Sequence, residues 1–202
     1  HAPDGQHYEK GLYKLAWSHY KLSSYETCLD LLAKLLDWSE ENFLRSGKRS
    51  AMAPEAIEYT AISLSDISDS TGRNPVDIAK GFYSRIGERA YEPDVYERLA
   101  DVLMQQTRYR DAIEVYDTMI RRWPNEPKNP TYLWTIAKLH RSLDVPDAIA
   151  SQNAITRLNE LFNRDSAWAH ANRNNPDALA VADGYIEQSL AQVAIDLHTA
   201  AN

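Results

Sequence analysis

The chain has 202 residues, of which 44% are hydrophobic and 25% are charged, and its formal net charge is −7. These values are ordinary for a globular protein and argue against a chain that is disordered throughout. The acidic balance argues against binding to nucleic acid or to anionic membrane surfaces, because both need clustered lysine and arginine. The single cysteine, Cys28, excludes a disulfide within the chain and a cysteine zinc site.

Helical periodicity of apolar residues dominates the chain, and no segment shows the alternation expected of a strand. The pairs Asn74-Pro75 and Asn175-Pro176 each predict an N-cap followed by a first-turn proline, and Pro146 also predicts a helix start. No apolar stretch approaches the roughly 20 residues that a membrane-spanning helix needs. The predicted helices cover residues 6–22, 25–40, 52–70, 75–88, 93–106, 109–123, 130–143, 146–164 and 176–200.

Successive helices pair into hairpins within one predicted domain, residues 1–202. The four hairpins cover residues 6–40, 52–88, 93–123 and 130–164, and residues 176–200 form a terminal helix. The terminal helix either caps the last hairpin or is the first helix of a further repeat, and the sequence leaves both interpretations open.

Two segments, residues 12–35 and 96–119, share one order of residue types. Leu15-Ala16, Tyr25 and Cys28 in the first correspond to Leu99-Ala100, Tyr109 and Ala112 in the second. This order resembles the tetratricopeptide repeat, a helix–turn–helix unit of about 34 residues. The hairpins at 54–87 and 131–160 are degenerate copies. The small residues at the close helix–helix contact of each hairpin are Ala16, Ala61, Ala100 and Ala137.

The tetratricopeptide resemblance implies a right-handed all-α solenoid with a terminal helix. It also implies a protein that binds a peptide or a partner subunit in a concave groove, and that is a scaffold and not an enzyme. A general adaptor for a basic or C-terminal peptide is one alternative. A helical-toroid enzyme acting on cell-wall glycan is another, and it would need two groove carboxylates about 5–9 Å apart with no cation between them.

A narrower resemblance concerns the bacterial cell envelope. Three segments resemble repeat proteins of delta-proteobacterial envelopes, some of which belong to the myxobacterial gliding-motility machinery. They are residues 12–22, residues 85–100 and the segment from Trp168 through His198. This resemblance implies a protein in the periplasm or at the outer membrane, within a multiprotein complex. A cytoplasmic location is the alternative.

As the tetratricopeptide resemblance implies, the first helix of each hairpin faces the groove and selects the ligand. The acidic candidates lie in the middle and are Glu55, Glu58, Asp66, Asp94, Glu97 and Asp101. The aromatic and cationic candidates lie at the two ends and are Tyr13, Trp17, Tyr20 and Lys21, then Trp134, Lys138 and Arg141. The pattern predicts a protein partner with a basic segment, anchored by aromatic side chains. A solvated charged face is the alternative.

Motifs for catalysis, metals and cofactors are missing from the sequence. It contains no His-Glu-x-x-His motif, no Gly-x-Ser-x-Gly elbow and no glycine-rich phosphate loop. We therefore predict no catalytic, metal-binding or cofactor-binding residue. Cys28 occupies a position where the repeat places a small residue, which favours a buried packing role over a reactive thiol.

Overall fold

The computed structural model describes the backbone of residues 5–200 and the side chains of residues 7–189 and 191, and the regular structure in that part of the chain is entirely helical. The prediction of an all-α fold is therefore confirmed. The helices are α1 (Gly5–Lys21), α2 (Tyr25–Ser46), α3 (Ala53–Thr71), α4 (Pro75–Ile86), α5 (Glu92–Gln105), α6 (Tyr109–Arg122), α7 (Asn129–Arg141), α8 (Ala148–Phe162), α9 (Ala167–Ala171) and α10 (Pro176–Ala200).

The helix ends follow local capping chemistry. Asn74 accepts a hydrogen bond from the Val76 N–H at 2.8 Å, and Asn175 accepts one from the Ala178 N–H at 3.1 Å, so both predicted N-caps are confirmed. The prediction that Pro146 opens α8 is wrong, because the Asp147 side chain caps that helix by accepting from the Ala150 N–H at 2.8 Å.

Two helices differ more strongly from the prediction. Helix α2 extends to Ser46, well past the predicted end at residue 40, and stops at Gly47, whose φ of 71° lies in the left-handed region that glycine tolerates. The short helix α9 was not predicted. Ser166 caps it through a hydrogen bond from the Ala169 N–H at 3.1 Å.

The chain divides into two compact units, His1–Val115 and Tyr116–Asn202, with the boundary inside α6. In the first unit α3 is the central helix, since it packs against α1, α2, α4 and α5. In the second unit α7 and α8 form a hairpin, α10 packs against both of them, and α9 packs against α8. The organisation of residues 1–202 as one solenoid domain stays a prediction.

The core of the first unit contains the small residues that the sequence placed at close helix contacts. Ala16, Ala61 and Ala100 are buried, and so is Cys28, whose sulfur receives a hydrogen bond from Ser63 Oγ at 3.7 Å. The complete burial of Cys28 agrees with a packing role, and burial raises the pKa of its thiol, which disfavours the nucleophilic thiolate. Leu15, which corresponds to the buried Leu99 in the repeat-like order, is 48% exposed, so the two positions differ in burial.

The second unit is held together by buried polar contacts as well as apolar ones. Ser151 Oγ donates to the Ala137 carbonyl at 2.8 Å and so ties α8 to α7. Trp168 is buried, its ring meets Phe162 edge-on at 5.3 Å, and its indole N–H donates to the Glu126 carbonyl at 2.8 Å. Among the described residues, no helix is both long and apolar enough to cross a lipid bilayer.

Candidate partner-binding surfaces

Aromatic side chains of α1 converge on one tyrosine of α3. Tyr13, Trp17 and Tyr20 lie on one face of α1 because they are spaced by four and then three residues. The ring of Tyr59 meets Tyr13 edge-on at 6.2 Å and Tyr20 edge-on at 5.2 Å, and its hydroxyl accepts a hydrogen bond from Trp17 Nε1 at 3.2 Å. We call these four residues the α1–α3 aromatic cluster.

The cluster is partly open to solvent and already contacts a cation. Trp17 is 43% exposed, whereas the three tyrosines are half-buried. The ammonium of Lys21, one turn further along α1, lies 5.0 Å from the centre of the Trp17 ring. At this distance a cation is attracted by the negative face of the ring. The Trp17 ring therefore holds a positive charge, which Lys21 supplies in this structure.

Two carboxylates of α3 border the cluster. Asp66 accepts a hydrogen bond from the Tyr20 hydroxyl. The pKa of Tyr20 is raised to about 12, mainly by burial and further by the hydrogen bond to Asp66. Burial also raises the pKa of Asp66. The hydrogen bond from Tyr20 lowers this pKa, and the negative charge of the nearby Asp69 raises it further. Burial raises the pKa of Tyr13 as well, with smaller contributions from Tyr59 and from the exposed Glu55.

An arginine joins α3 to α5 beside this cluster. Arg98 is hydrogen-bonded to Glu58 and lies 3.6 Å from Asp101, and the bond to Glu58 is the main cause that raises the pKa of the guanidinium. The Arg98 guanidinium contacts both Glu58 and Asp101. Glycan hydrolysis would need two carboxylates with no cation between them, and Glu58 and Asp101 do not meet that requirement. Asp94 and Glu97 lie on the same helix, exposed and half-buried respectively.

The remaining candidates belong to the second unit. Trp134 of α7 stacks on Tyr185 of α10, with ring centres 5.5 Å apart and planes inclined by 22°. Arg141 Nε donates to Ser151 Oγ at 2.8 Å, which gives this residue a structural role, and Lys138 is exposed on α7.

Two aromatic residues that organise these surfaces were not among the sequence candidates. Tyr59 is the centre of the α1–α3 aromatic cluster, and its position four residues after Glu55 and seven before Asp66 places it on the same helical face. That spacing was a usable signal. Tyr185 stacks on Trp134 through tertiary packing, and no short-range spacing indicates the pair.

The described residues contain no group of three histidine, cysteine, aspartate or glutamate side chains arranged to hold a metal ion. The chemistry that these surfaces offer is aromatic contact, carboxylate hydrogen bonding and attraction of cations.

Comparisons with known proteins give little guidance to family. No family model matches the chain, and no curated protein matches it. Among solved structures, a variant of a Podosopora anserina kinesin light chain with nearly identical TPR-like repeats is similar at 13% identity and a TM-score of 0.37, over 98% of this chain and 100% of that one. A double mutant of MamA RS-1 is similar at 14% identity and a TM-score of 0.32, over 92% of this chain and 96% of that one.

Proposed function

We propose that this chain is a protein-interaction scaffold that binds a basic segment of a partner on the α1–α3 aromatic cluster. The observation that carries the proposal is the convergence of Tyr13, Trp17 and Tyr20 on Tyr59, with Glu55 and Asp66 beside them on α3. Partly exposed tryptophan and tyrosine are the residue types that dominate binding hot spots, because each supplies a large contact area at low entropic cost.

The charge of the surface favours a lysine or arginine side chain from the partner. The faces of the aromatic rings attract a cation, and each such contact stabilises a complex by about 0.5–2 kcal/mol. Glu55 and Asp66 lie about 16 Å apart along α3, so each would accept hydrogen bonds from a different cationic side chain of the partner. The Lys21 ammonium over Trp17 shows that this ring can hold a cation, and a lysine or arginine of the partner would displace Lys21 from that face or contact another ring of the cluster.

The surface is held in place before a partner arrives, which favours a recognition role. Trp17 is fixed by its hydrogen bond to Tyr59, and Tyr20 by its hydrogen bond to Asp66. Side chains that are already ordered lose little conformational entropy when a partner binds. A rigid recognition surface on packed helices is the mechanism by which we expect the scaffold to act.

We further propose that the scaffold acts in the bacterial envelope, in the periplasm or at the outer membrane, within a complex of the gliding-motility type. The proposal rests only on the resemblance of residues 12–22, 85–100 and 168–198 to envelope repeat proteins, and no family model or curated protein matches the chain. Fractionation of the native cells, followed by detection of the chain with an antibody, tests the location. Recovery in the cytoplasmic fraction would remove this part of the proposal and leave a general adaptor.

The interaction is tested by quantitative affinity capture of partners from extracts of the native cells. The baits are three versions of residues 1–202: the wild type, a test variant and a control variant. The test variant carries Trp17→Ala and Glu55→Gln, which remove the exposed ring and one flanking carboxylate. The control variant carries Glu41→Gln, an equally charge-changing substitution at an exposed position of α2. We expect the wild type and the control to retain the same partner and the test variant to lose most of it.

A direct measurement then follows with the captured partner. A synthetic peptide covering its most basic segment is titrated into the ¹⁵N-labelled chain, and we expect the indole N–H signal of Trp17 to shift. Equal capture of the partner by all three versions would place the interface elsewhere. Retained shifts after the basic residues of the peptide are replaced with glutamine would refute the role of charge.

A further inference from the structure

A cavity in the second unit is separate from the surfaces described above. Its volume is about 410 Å³, and it lies where the end of α6 meets α8 and α9. Ile120, Phe162 and Trp168 are buried side chains that form its apolar wall, and Leu161 lies at the rim with 42% of its surface exposed. The cavity is large enough for one aromatic or large aliphatic side chain, and its wall suits such a group.

Two arginines border this apolar cavity. Arg157 donates to Asp117 Oδ1 at 2.8 Å, and Arg121 is hydrogen-bonded to Asp117 Oδ2. Arg121 also donates to Thr118 Oγ1 at 3.2 Å. A guanidinium carries five N–H donors, so both arginines keep donors for a further acceptor while Asp117 holds their planes in place. A fixed pair of guanidinium groups beside an apolar wall is suited to a ligand that is both apolar and anionic.

We propose that this cavity binds the carboxyl-terminal residue of a polypeptide that ends in an aromatic or large aliphatic side chain. The side chain contacts Ile120, Phe162 and Trp168, and the terminal carboxylate accepts hydrogen bonds from Arg121 and Arg157. The main-chain carboxylate and the side chain branch from the same carbon atom. One residue therefore presents both groups to a site whose apolar wall and cations are adjacent.

The rim of the cavity favours a polypeptide over a small molecule. Leu161, Pro124 and Asn125 line the cavity and are exposed, so a bound group remains open to solvent on one side. Sites for small ligands usually bury most of the ligand surface, whereas an open rim leaves room for the preceding residues of a chain. Glu160 also lines the cavity and is exposed, which disfavours an acidic residue before the terminal one.

The test uses an acetylated five-residue peptide of four alanines and a terminal phenylalanine, so that its single charge is the terminal carboxylate. It is titrated into ¹⁵N-labelled residues 1–202, and we expect the amide signals of residues 120–125 and 157–168 to shift. The same peptide with a terminal amide should bind roughly tenfold more weakly, because a charge-assisted hydrogen bond is lost. Replacing the fourth alanine with glutamate should also weaken binding.

Variants locate the site. Arg157→Gln should weaken binding of the free-acid peptide roughly tenfold, whereas Arg173→Gln, an exposed arginine of the same unit, should leave it unchanged. Leu161→Asp alters only the exposed rim and should also weaken binding, so a folding defect in the Arg157 variant would not end the test. The Trp17→Ala/Glu55→Gln variant should bind the peptide as the wild type does, which separates this site from the α1–α3 aromatic cluster.

Three results would overturn the assignment. One is the absence of shifts at residues 120–125 and 157–168 with the free-acid peptide at millimolar concentration. Another is equal affinity for the acid and the amide, which would remove the role of the arginines. The third is equal affinity for free 3-phenylpropionate and the peptide, which would show that the cavity selects a small carboxylate and not the end of a polypeptide.

Discussion

Tyr59 is the residue on which the α1–α3 aromatic cluster depends, because three side chains of α1 contact it. Its ring supports Tyr13 and Tyr20 by edge-on contacts, and its hydroxyl orients Trp17. Removal of the ring would therefore disorganise the surface. Removal of the whole Tyr59 ring should affect both stability and binding, whereas removal of its hydroxyl alone should affect mainly stability.

We expect Tyr59→Ala to lower the free energy of unfolding by about 1–3 kcal/mol, less than for a fully buried aromatic residue because Tyr59 is half-buried. Tyr59→Phe removes only the acceptor for Trp17 and should cost about 0.5–1.5 kcal/mol. Urea unfolding of both variants measures these values. Binding of the basic partner should be lost in the alanine variant and largely kept in the phenylalanine variant. A larger stability loss for phenylalanine than for alanine would contradict the arrangement.

The raised pKa of the Asp66 carboxyl should make the stability of the fold depend on pH. Burial raises the pKa of its carboxyl in the folded chain above the unfolded value, so the folded state favours the protonated form. The stability that this preference contributes is fully present below the unfolded pKa and is lost as the pH rises through the folded pKa. Asp66→Asn removes the titrating group, so its melting temperature relative to wild type should be higher near pH 7 than near pH 3.

The control for Asp66 is Asp144→Asn, which alters an exposed carboxylate. Its melting temperature relative to wild type should change less between the two pH values. An Asp66→Asn variant that gains stability relative to wild type toward low pH would show that the Tyr20 hydrogen bond outweighs burial.

At the scale of the helices, α3 organises the first unit. It packs against four other helices, and Ala61 is a fully buried small residue of its core-facing side. A side chain larger than a methyl group has no room there unless neighbouring helices move. Ala61 is therefore a sensitive position for testing whether the predicted small-residue contacts set the helix spacing.

We expect Ala61→Leu to lower the free energy of unfolding by about 1–3 kcal/mol or more through overpacking. Ala180→Leu makes the same change at an exposed position of α10 and should alter stability by less than about 0.5 kcal/mol. Chemical denaturation of the two variants provides the comparison. Equal and small effects would mean that the first unit tolerates expansion around α3.

Helix positions could be predicted from the sequence where periodicity and capping residues coincide. The starts of α4 and α10 illustrate this, since Asn74-Pro75 and Asn175-Pro176 carry their own capping chemistry. Helix α9 was missed because five residues are too few to show a helical period. The end of α2 was placed too early, although Gly47 carries a local stop signal: its N–H donates to the Phe43 carbonyl at 2.7 Å, and its φ of 71° is the left-handed conformation of a helix C-cap.

The candidate surface was only partly predictable for a similar reason. The tetratricopeptide resemblance placed Tyr13, Trp17 and Tyr20 together at one end of the predicted groove, and their spacing of four and three residues puts them on one face of α1. Their common partner Tyr59 is more than 35 residues away in sequence, and only the packing of α1 against α3 brings it there. Glu58 was likewise counted among the acidic candidates from the sequence. Its ion pair with Arg98 neutralises that negative charge, and tertiary packing of α3 against α5 brings the two side chains together.

At the scale of the whole molecule, the net charge of −7 should favour association with a basic partner. Long-range attraction acts mainly on the rate of association, and salt screens it because the Debye length falls from about 10 Å at 0.1 M to about 3 Å at 1 M. The distribution of charge matters as well as its sum. Asp94, Glu97 and Asp101 lie on α5, next to the central helix of the unit that carries the aromatic cluster.

A matched pair of variants separates the local field from the net charge. Replacement of Asp94, Glu97 and Asp101 by their amides raises the net charge by three, as does the same change at the exposed residues Glu41, Asp144 and Asp165. If the α5 acids steer the partner, the first variant should slow association with the captured basic partner roughly tenfold at low salt, and the second should have a much smaller effect. Stopped-flow or surface-binding kinetics at two salt concentrations measure this. Equal slowing in both variants would mean that the partner responds to the charge of the whole molecule, and that the α5 acids have no specific part in recognition.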